Sequence, residues 1–420
     1  MLDTVSARTS SSRLLIPALP VHGSELVSNR RTRLITVCHP VWQLGCGGTE
    51  RHLVQVVNRL PQESFRHVVV VLGWNRRSEP IAAQLGDHVD VIKHDGPHQD
   101  RTFSRRLAAI LHERDVDVLH VRGLSMLLDA VIASELHGVS SVACSFHGFE
   151  SADTQFKGVR RKVLREALLR CDDRWAVSAA AARAITHRLN MPRETFGVLT
   201  NGVDTVHYHP STDRDSLRKD LNLPLDQTVL LSVGTLKPIK GHEVLLKAMQ
   251  HLGTEAKGAV LVLVGADELG GGLQQWAARH LPGLDVRFVG KQTDVRRWYQ
   301  AADVFVLPSM WEGLSNALLE AMACGRAIIA TRVGGNLDVL EDHRTALLVE
   351  PSDAPGLGTA IGRLLGDERL RSQLGTAARQ EIERRFSVGQ TLAAHAERYL
   401  QLADRSQSMT AQAKVIEPGK

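Results

Sequence analysis

Two glutamates, a serine and a short helix pattern lie together in WEGLSNALLEAMACG, residues 311–325. Ser315 is a favourable N-cap, and residues 317–323 favour a helix. The unpaired amides of the first turn would attract a phosphate, whereas the carboxylates of Glu312 and Glu320 would accept hydrogen bonds from hydroxyl groups. A ligand that carries both phosphates and hydroxyls satisfies both kinds of group, and a nucleotide sugar is such a ligand.

A lysine-containing loop, VGTLKPIKG, offers positive charge for a diphosphate. Lys240 lies between a strand end and a helix, and Lys237 lies nearby. A lysine ammonium in this position can act as a point charge toward a diphosphate leaving group. The Walker spacing is absent, and two solvated surface lysines remain an alternative interpretation.

A glycine-rich loop and a histidine are two further candidates. The loop GCGGTE, Gly45–Glu50, could bring backbone amides close to an anion or a sugar, although a tight strand-to-helix turn is the alternative. Glu50 occupies the position of the last glycine of a dinucleotide fingerprint, so NAD binding is weakly supported. His147, in SFHGFE, follows a buried strand and would point into a cleft; a hydrogen-bonded or exposed histidine is the alternative.

The composition predicts a soluble globular protein of two or three domains. The chain has 420 residues, 43% of them hydrophobic, and 51 basic against 46 acidic residues. Five scattered cysteines argue against a disulfide framework or a zinc site and favour a reducing cytoplasm. Neither a membrane span nor a signal peptide is expected, and an aromatic content of 4% disfavours nucleic-acid binding.

Short β-branched runs alternate with helix patterns along most of the chain, which indicates parallel sheets. Each half begins with a strand, a glycine-bearing loop and a helix. We therefore expect an α/β protein with two doubly wound, Rossmann-like parallel-sheet domains facing a central cleft. The expected boundaries are a mobile tail over residues 1–32, an acceptor-side domain over 33–205, a nucleotide-sugar domain over 206–385, a helix over 386–405 that packs back on the first domain, and a mobile tail over 406–420.

Taken together, these segments resemble the retaining glycosyltransferases of family 4, which have the two-domain GT-B fold. The resemblance covers about residues 34–400, and the spacing of Glu312 and Glu320 is its most specific mark. The other marks are GGTE at Gly47–Glu50, FHG at Phe146–Gly148, NGVD at Asn201–Asp204, KG at Lys240–Gly241 and VGG at Val333–Gly335.

The resemblance implies a role for each candidate residue. Glu320 would bind the ribose, Glu312 the donor sugar, and Lys240 the diphosphate. The remaining implied contacts are phosphate and sugar at Gly313, Leu314 and Ser315, the donor sugar at His147, the diphosphate or acceptor at Gly48 beside Gly47, and the base at Gly290 and Lys291 within Val289–Gln292.

One departure concerns Thr235, which stands where the family often has an arginine. Threonine cannot replace that charge. Either Lys237 supplies it, or Lys240 acts with the helix amides alone.

The implied reaction moves a hexosyl or N-acetylhexosaminyl group from a nucleoside diphosphate sugar to an acceptor hydroxyl with retention and without a metal. It is expected in polysaccharide, lipopolysaccharide or glycolipid biosynthesis. The alternatives are a nucleotide-sugar epimerase of the same fold and a non-catalytic nucleotide-sugar-binding module.

The stretch KGVRRKVLREALLR, residues 157–170, predicts a basic amphipathic helix. Its six basic residues oppose one acid, and its apolar positions recur at helical spacing. We expect peripheral contact with an anionic membrane at the cytoplasmic face, near a glycan or lipid-linked acceptor. The alternative is a solvated helix that packs only on its own domain.

Overall fold

The computed structural model describes most of the chain and divides it into two compact units. The described residues are 33–45, 47–75, 78–94, 102–138, 141–148 and 158–416. The first unit contains the described residues up to Leu199 and those from Thr391 onward, and the second is Thr200–Gln390. The predicted tail over residues 1–32 lies outside the described residues, as do residues 417–420.

The first unit is built on a seven-stranded sheet whose paired strands run parallel. Its strands are β1 (Ile35–Val41), β2 (Phe65–Val71), β3 (Asp90–Lys93), β4 (Val118–Arg122), β5 (Ser141–Phe146), β6 (Asp173–Ala176) and β7 (Gly197–Val198). Its described α-helices before the second unit are α1 (Gly48–Arg59), α2 (Glu79–Ala82), α3 (Phe103–Glu113), α4 (Leu127–His137), α5 (Gly158–Leu169) and α6 (Ala179–Leu189).

The second unit is built on a six-stranded parallel sheet. Its strands are β8 (Thr228–Val233), β9 (Ala259–Val264), β10 (Asp285–Gly290), β11 (Val304–Leu307), β12 (Ala327–Thr331) and β13 (Leu347–Val349). Its helices are α7 (Arg214–Asp220), α8 (His242–Leu252), α9 (Gly272–His280), α10 (Arg296–Ala301), α11 (Asn316–Ala323), α12 (Asn336–Val339), α13 (Ala354–Gly366) and α14 (Glu368–Arg385).

Burial of the central strands explains why apolar runs of this kind form parallel sheets. Every residue of β1, β5, β9 and β12 is buried. In the second unit, strand residues such as Leu261 share one core with Leu245 of α8 and Ile361 of α13. The predicted α/β class with two parallel sheets is confirmed.

Both sheets have the same strand order over six strands, and the first unit has one further strand, β7, at the edge. The order is β3-β2-β1-β4-β5-β6-β7 in the first unit and β10-β9-β8-β11-β12-β13 in the second. In each, the chain builds outward from a central strand and then returns to the other side of that strand. The order therefore reverses between β1 and β4 and between β8 and β11, where ligands bind in open α/β sheets.

A last helix, α15 (Val388–Ile416), extends past residue 405, so the segment predicted as a tail over residues 406–420 is helical as far as Ile416. From Thr391 it belongs to the first unit, where Arg398 Nη1 donates to Asp173 Oδ2 at 2.6 Å. The units divide after Leu199 rather than at residue 205, because Arg379 of α14 donates to the Thr205 carbonyl and holds that segment in the second unit.

The basic helix α5 is only partly packed. Leu164, Ala167 and Leu168 are buried, whereas Val159 and Val163 are 77% and 37% exposed. The predicted apolar stripe thus divides into a buried C-terminal part and an exposed N-terminal part. Lys157 lies outside the described residues.

Candidate functional site

Three loops leave the carboxyl ends of β8, β11 and β12 in the second unit. They comprise residues 234–241, 308–315 and 332–335. The loops are neighbours because β11 pairs with both β8 and β12. Backbone hydrogen bonds join them: Met310 N donates to Ile239 O at 2.8 Å, and Gly335 N donates to Glu312 O at 2.9 Å.

Glycines allow these loops to approach each other closely. Gly241 has φ +68°, and a Cβ there would collide with the Pro308 carbonyl. A Cβ on Gly334 would collide with the Glu312 carbonyl, and one on Gly335 with the Gly313 carbonyl. The glycines of KG and VGG therefore position the loop that carries Glu312.

Lys240 and Glu312 form an ion pair across two of the loops. Lys240 Nζ donates to Glu312 Oε1 at 2.7 Å, and Ser309 Oγ donates to the same oxygen at 2.6 Å. The Glu312 side chain is 8% exposed and that of Lys240 is 25% exposed. The two candidate residues thus balance each other's charge, which their separation in the sequence did not reveal.

Helix α11 begins beside this pair. Ser315 is its N-cap, and its Oγ accepts a hydrogen bond from Leu318 N, as the sequence predicts. Leu314 and Glu320 are buried, and Glu320 lies in the second turn of the helix. Asn201, from NGVD, donates through Nδ2 to Asn316 Oδ1 at 3.0 Å and so supports the start of α11.

Lys237 and Gly290 both lie at carboxyl ends of strands in the second unit, Lys237 after β8 and Gly290 at the end of β10. Lys237 directly precedes the 3-10 turn that contains Lys240, and no ion pair of its side chain is found within the described part of the chain. Gly290 O accepts a hydrogen bond from Gly265 N at 2.9 Å, and a Cβ on Gly265 would collide with the Gly234 carbonyl. Gly290 is the last residue of β10 and Lys291 follows it, and Gly265 links this strand end to the lysine loop.

His242 is a site residue that sequence reasoning missed. It is the first residue of α8 and is 3% exposed, and its Nδ1 has no hydrogen-bond partner among the described residues. Burial, with a smaller effect of Lys240, lowers the pKa of His242 to about 4. In the sequence, the position of His242 directly after the dipeptide Lys240–Gly241 is the signal that could have identified it.

In the first unit, His147 follows β5 and contacts a buried polar group. Its Nε2 lies 2.9 Å from Ser145 Oγ. Burial and then the charge of Arg122 lower the pKa of His147 to about 3, so the imidazole is neutral at pH 7. The His52 ring of α1 lies 5.5 Å from the His147 ring, so this helix and the histidine are neighbours.

The amino end of α1 differs from the bare anion site that its glycines suggest. Gly47 is the N-cap, and Gly48 is the first helical residue. A Cβ built on Gly47 would meet the carboxylate of Glu50, which lies against this helix end. The Glu50 carboxylate is therefore close to the backbone that an anion or a sugar at Gly47 and Gly48 would contact.

Both units match models of known protein families. Residues 46–207 match the model of Glycosyltransferase Family 4, and residues 213–381 match that of Glycosyl transferases group 1. The chain belongs to the family 4 glycosyltransferases.

The sequence identity to individual relatives is low. The N-acetyl-alpha-D-glucosaminyl L-malate synthase of Bacillus anthracis is 26% identical over 69% of this chain and 76% of its own length. A GDP-mannose-dependent monoacylated alpha-(1-6)-phosphatidylinositol monomannoside mannosyltransferase of Corynebacterium glutamicum is 29% identical over 68% and 77%. Matches to D-inositol 3-phosphate glycosyltransferases span about half of those proteins, 52% and 48%.

Solved structures share the fold. The Anabaena protein Alr3699/HepE, solved with UDP, superposes with a TM-score of 0.75 over 88% of this chain and 100% of its own, at 21% identity. Like other members of its family, this glycosyltransferase uses a nucleotide-sugar donor. Within the described ranges, no group of three His, Cys, Asp or Glu side chains is placed to hold a metal ion, and no helix is long and apolar enough to cross a membrane.

Proposed function

We propose that this glycosyltransferase moves a hexosyl or N-acetylhexosaminyl group, with retention, from a nucleoside diphosphate sugar to a hydroxyl of a glycan or lipid-linked acceptor. The observation that carries this proposal is the Lys240–Glu312 pair at the reversal point between β8 and β11. The biosynthetic product would be a polysaccharide, a lipopolysaccharide or a glycolipid.

Lys240 would bind the diphosphate. A lysine ammonium has three N–H donors, and one of them reaches Glu312, which leaves two for phosphate oxygens. Because Glu312 offsets the charge of Lys240, binding of the diphosphate needs positive potential from other groups as well. The backbone amides of Gly313–Ser315, directly before α11, and the side chain of Lys237 would supply it in place of the arginine that Thr235 replaces.

The two glutamates would bind hydroxyl groups. Lys240 and Ser309 both donate to Oε1 of Glu312, which leaves Oε2 for a hydroxyl of the donor sugar. Glu320 would accept hydrogen bonds from the ribose. The backbone at Gly290 and Lys291 would contact the base, and Gly47 and Gly48 the acceptor or the diphosphate.

In the proposed reaction, the bond between the anomeric carbon and the diphosphate oxygen breaks, and the acceptor oxygen bonds to that carbon on the same face. The acceptor proton passes to the leaving diphosphate. No side chain acts as a covalent nucleophile. Stabilisation of the leaving charge by Lys240 and the amides would be the main catalytic contribution, so no metal ion is needed.

A panel of nucleotide sugars tests the proposal. A donor at about 100 times its dissociation constant should raise the free energy of unfolding by about 2.7 kcal/mol, which a thermal shift detects. Free nucleoside diphosphate should then accumulate only when an acceptor is added. An isomerised nucleotide sugar formed without acceptor would instead indicate an epimerase, and binding without turnover would indicate a binding module.

We further propose that the enzyme contacts an anionic membrane through the amino-terminal half of α5. Val159 and Val163 are exposed there beside the exposed Arg161 and Lys162. Each basic residue near an anionic surface contributes on the order of 1 kcal/mol. The C. glutamicum relative is named for a phosphatidylinositol-based acceptor, which fits such a location.

Flotation with vesicles of anionic phospholipid tests this contact. The wild-type enzyme should float at low salt and not at high salt, and Arg161→Glu/Lys162→Glu should abolish flotation. Arg105→Glu/Arg183→Glu is the matched control, because it reverses two exposed charges on α3 and α6 of the same unit. Equal flotation of both variants would leave α5 with a structural role alone.

A further inference from the structure

A series of buried, hydrogen-bonded polar side chains connects Tyr399 to His147. The Tyr399 hydroxyl lies 2.7 Å from His120 Nδ1, and His120 Nε2 lies 2.9 Å from Ser145 Oγ. Ser145 Oγ in turn lies 2.9 Å from His147 Nε2. Tyr399, His120 and Ser145 are fully buried, so no water competes for these contacts. We refer to these three residues as the Tyr399 chain.

Arg122, the last residue of β4, lies at the origin of this chain. Its guanidinium is buried, and its charge lowers the pKa of Tyr399 against the larger raising effect of burial. Arg122 Nη1 also donates to His39 Nδ1 at 2.8 Å. Because a guanidinium can only donate, His39 must accept at Nδ1 and carry its proton on Nε2, from which it donates to His67 Nδ1 at 3.1 Å.

The same reasoning sets the direction of the Tyr399 chain. The partner of the Tyr399 hydroxyl among the described residues is His120 Nδ1, so donation to that nitrogen satisfies the buried phenol proton, and the nearby charge of Arg122 favours the same orientation. A neutral His120 that accepts at Nδ1 must donate from Nε2 to Ser145. The Ser145 hydroxyl then donates to His147 Nε2, so His147 carries its proton on Nδ1.

His120 and His147 are both neutral. Burial, and then the charge of Arg122, lowers the pKa of His120 well below its usual value and that of His147 to about 3. A neutral imidazole has one donor and one acceptor nitrogen, and the partner of one nitrogen decides the role of the other.

We propose that Arg122, acting through the Tyr399 chain, holds His147 as its Nδ1–H tautomer and so makes it a hydrogen-bond donor to the substrate. This inference rests on the proposed function for the identity of the substrate. The Nδ1 atom is buried and has no hydrogen-bond partner among the described residues, so this tautomer leaves a buried N–H donor unsatisfied, and a sugar or acceptor oxygen would satisfy it. In this form Nδ1 cannot accept a proton, so His147 does not act as a base there. Arg122, Tyr399, His120 and Ser145 are positioning residues.

Nitrogen NMR of the full-length protein with ¹⁵N-labelled histidine tests the tautomer directly. The His147 signals are assigned by their loss in His147→Asn. At neutral pH, His147 Nδ1 should resonate as a protonated nitrogen and Nε2 as an unprotonated one, opposite to the form that free neutral histidine favours. A wild-type His147 protonated on Nε2 would overturn the proposal.

Two serines of the same strand provide a matched pair of variants. Ser145→Ala breaks the chain next to His147 and should move both His147 nitrogen signals toward values averaged over the two tautomers. Ser141→Ala removes an equally buried hydroxyl that donates to Leu402 O at 2.9 Å, and it should leave them unchanged. Equal effects of the two variants, or no effect of Ser145→Ala, would contradict control by the chain. Tyr399→Phe is a second way to break the chain, and the wild-type spectrum decides the tautomer even if a variant fails to fold.

Kinetics separates this inference from the proposed function. An asparagine amide can occupy the place of Nδ1–H, whereas a glutamine amide reaches the place of Nε2. His147→Asn should therefore retain on the order of tenfold more kcat/KM than His147→Gln, which is the value of one hydrogen bond. If no donor supports transfer while His147 is the Nδ1–H tautomer, the proposed function is wrong and the inference about the tautomer is retained. If transfer occurs and His147 is the Nε2–H tautomer, the inference about the tautomer is wrong and the proposed function is retained.

Discussion

Replacing Lys240 with alanine removes the cation of the site and leaves its carboxylate. Glu312 is 6% exposed and would retain the Ser309 hydroxyl as a donor to Oε1. The variant therefore has two separable consequences: a buried negative charge loses its counterion, and the diphosphate loses its lysine.

The first consequence concerns stability. A buried group that loses a hydrogen-bonding partner costs about 1–3 kcal/mol, and we expect the lower part of this range because the Lys240 side chain is 25% exposed and its pairing is partly screened. Glu312→Gln in the Lys240→Ala background removes the uncompensated charge. The double variant should recover most of the lost free energy of unfolding.

The second consequence concerns catalysis. Truncating one partner of a buried charge contact costs about 2–5 kcal/mol, and about 1.4 kcal/mol corresponds to a factor of ten. We expect kcat/KM of Lys240→Ala to fall by about 100-fold or more. The double variant should remain inactive although its stability recovers, because neither change restores positive charge for the diphosphate.

Urea titration at neutral pH and steady-state kinetics with the preferred donor measure the two effects. Lys247→Ala is the matched control, because Lys247 Nζ contacts Glu243 Oε1 at 2.6 Å in an exposed pair on α8. It should change stability by no more than about 0.5 kcal/mol and leave activity intact. A folded Lys240→Ala enzyme with kcat/KM within about threefold of the wild type would refute the assignment of Lys240 to the diphosphate.

Three further predictions concern the same molecule. Glu320→Gln should weaken binding of free nucleoside diphosphate by about tenfold, as for one charged hydrogen bond, while Glu312→Gln should act mainly on kcat; equal binding by both variants and the wild type in calorimetry would exclude the ribose role of Glu320. Enzyme treated with a chelator should retain most of its activity, and strict dependence on Mg²⁺ or Mn²⁺ would contradict the proposed mechanism. The first unit should be sensitive to acid, because burial lowers the pKa values of six of its histidines and keeps them neutral in the folded protein. In the unfolded chain the same histidines bind protons below about pH 6.5. They are His39, His52, His67, His120, His147 and His395. The free energy of unfolding should therefore fall as the pH drops below that value, by up to about 1.4 kcal/mol per pH unit for each histidine, and a urea midpoint that is unchanged between about pH 7.5 and 5.5 would show that the cluster is already protonated or exposed.

Patterns within a few residues were sufficient to predict the two parallel sheets and the start of α11. Apolar runs such as AVLVLV become buried strands wherever helices cover both faces, and Ser315 can cap a helix without help from distant segments. The family marks also have local meaning, since Gly241 adopts a left-handed conformation that few other residues tolerate. The extent of α15 was less predictable, because its later turns carry no clear stop signal.

Contacts between distant segments were not predictable in the same way. Lys240 and Glu312 are 72 positions apart, and the sequence predicts a role for each residue but not the pairing between them. They meet because β8 and β11 become neighbours when the chain reverses across the sheet.

The surroundings of His147 show the same division most clearly. The sequence by itself determined that a histidine follows the buried strand β5. Only the tertiary structure decided its partners, because His120 comes from the neighbouring strand and Tyr399 from a helix 279 positions further along the chain. The direction of hydrogen bonding follows from the Tyr399 hydroxyl, whose partner among the described residues is His120 Nδ1, and the charge of the buried Arg122 favours the same direction. Strand order and helix packing bring these groups together, and no local pattern encodes either of them.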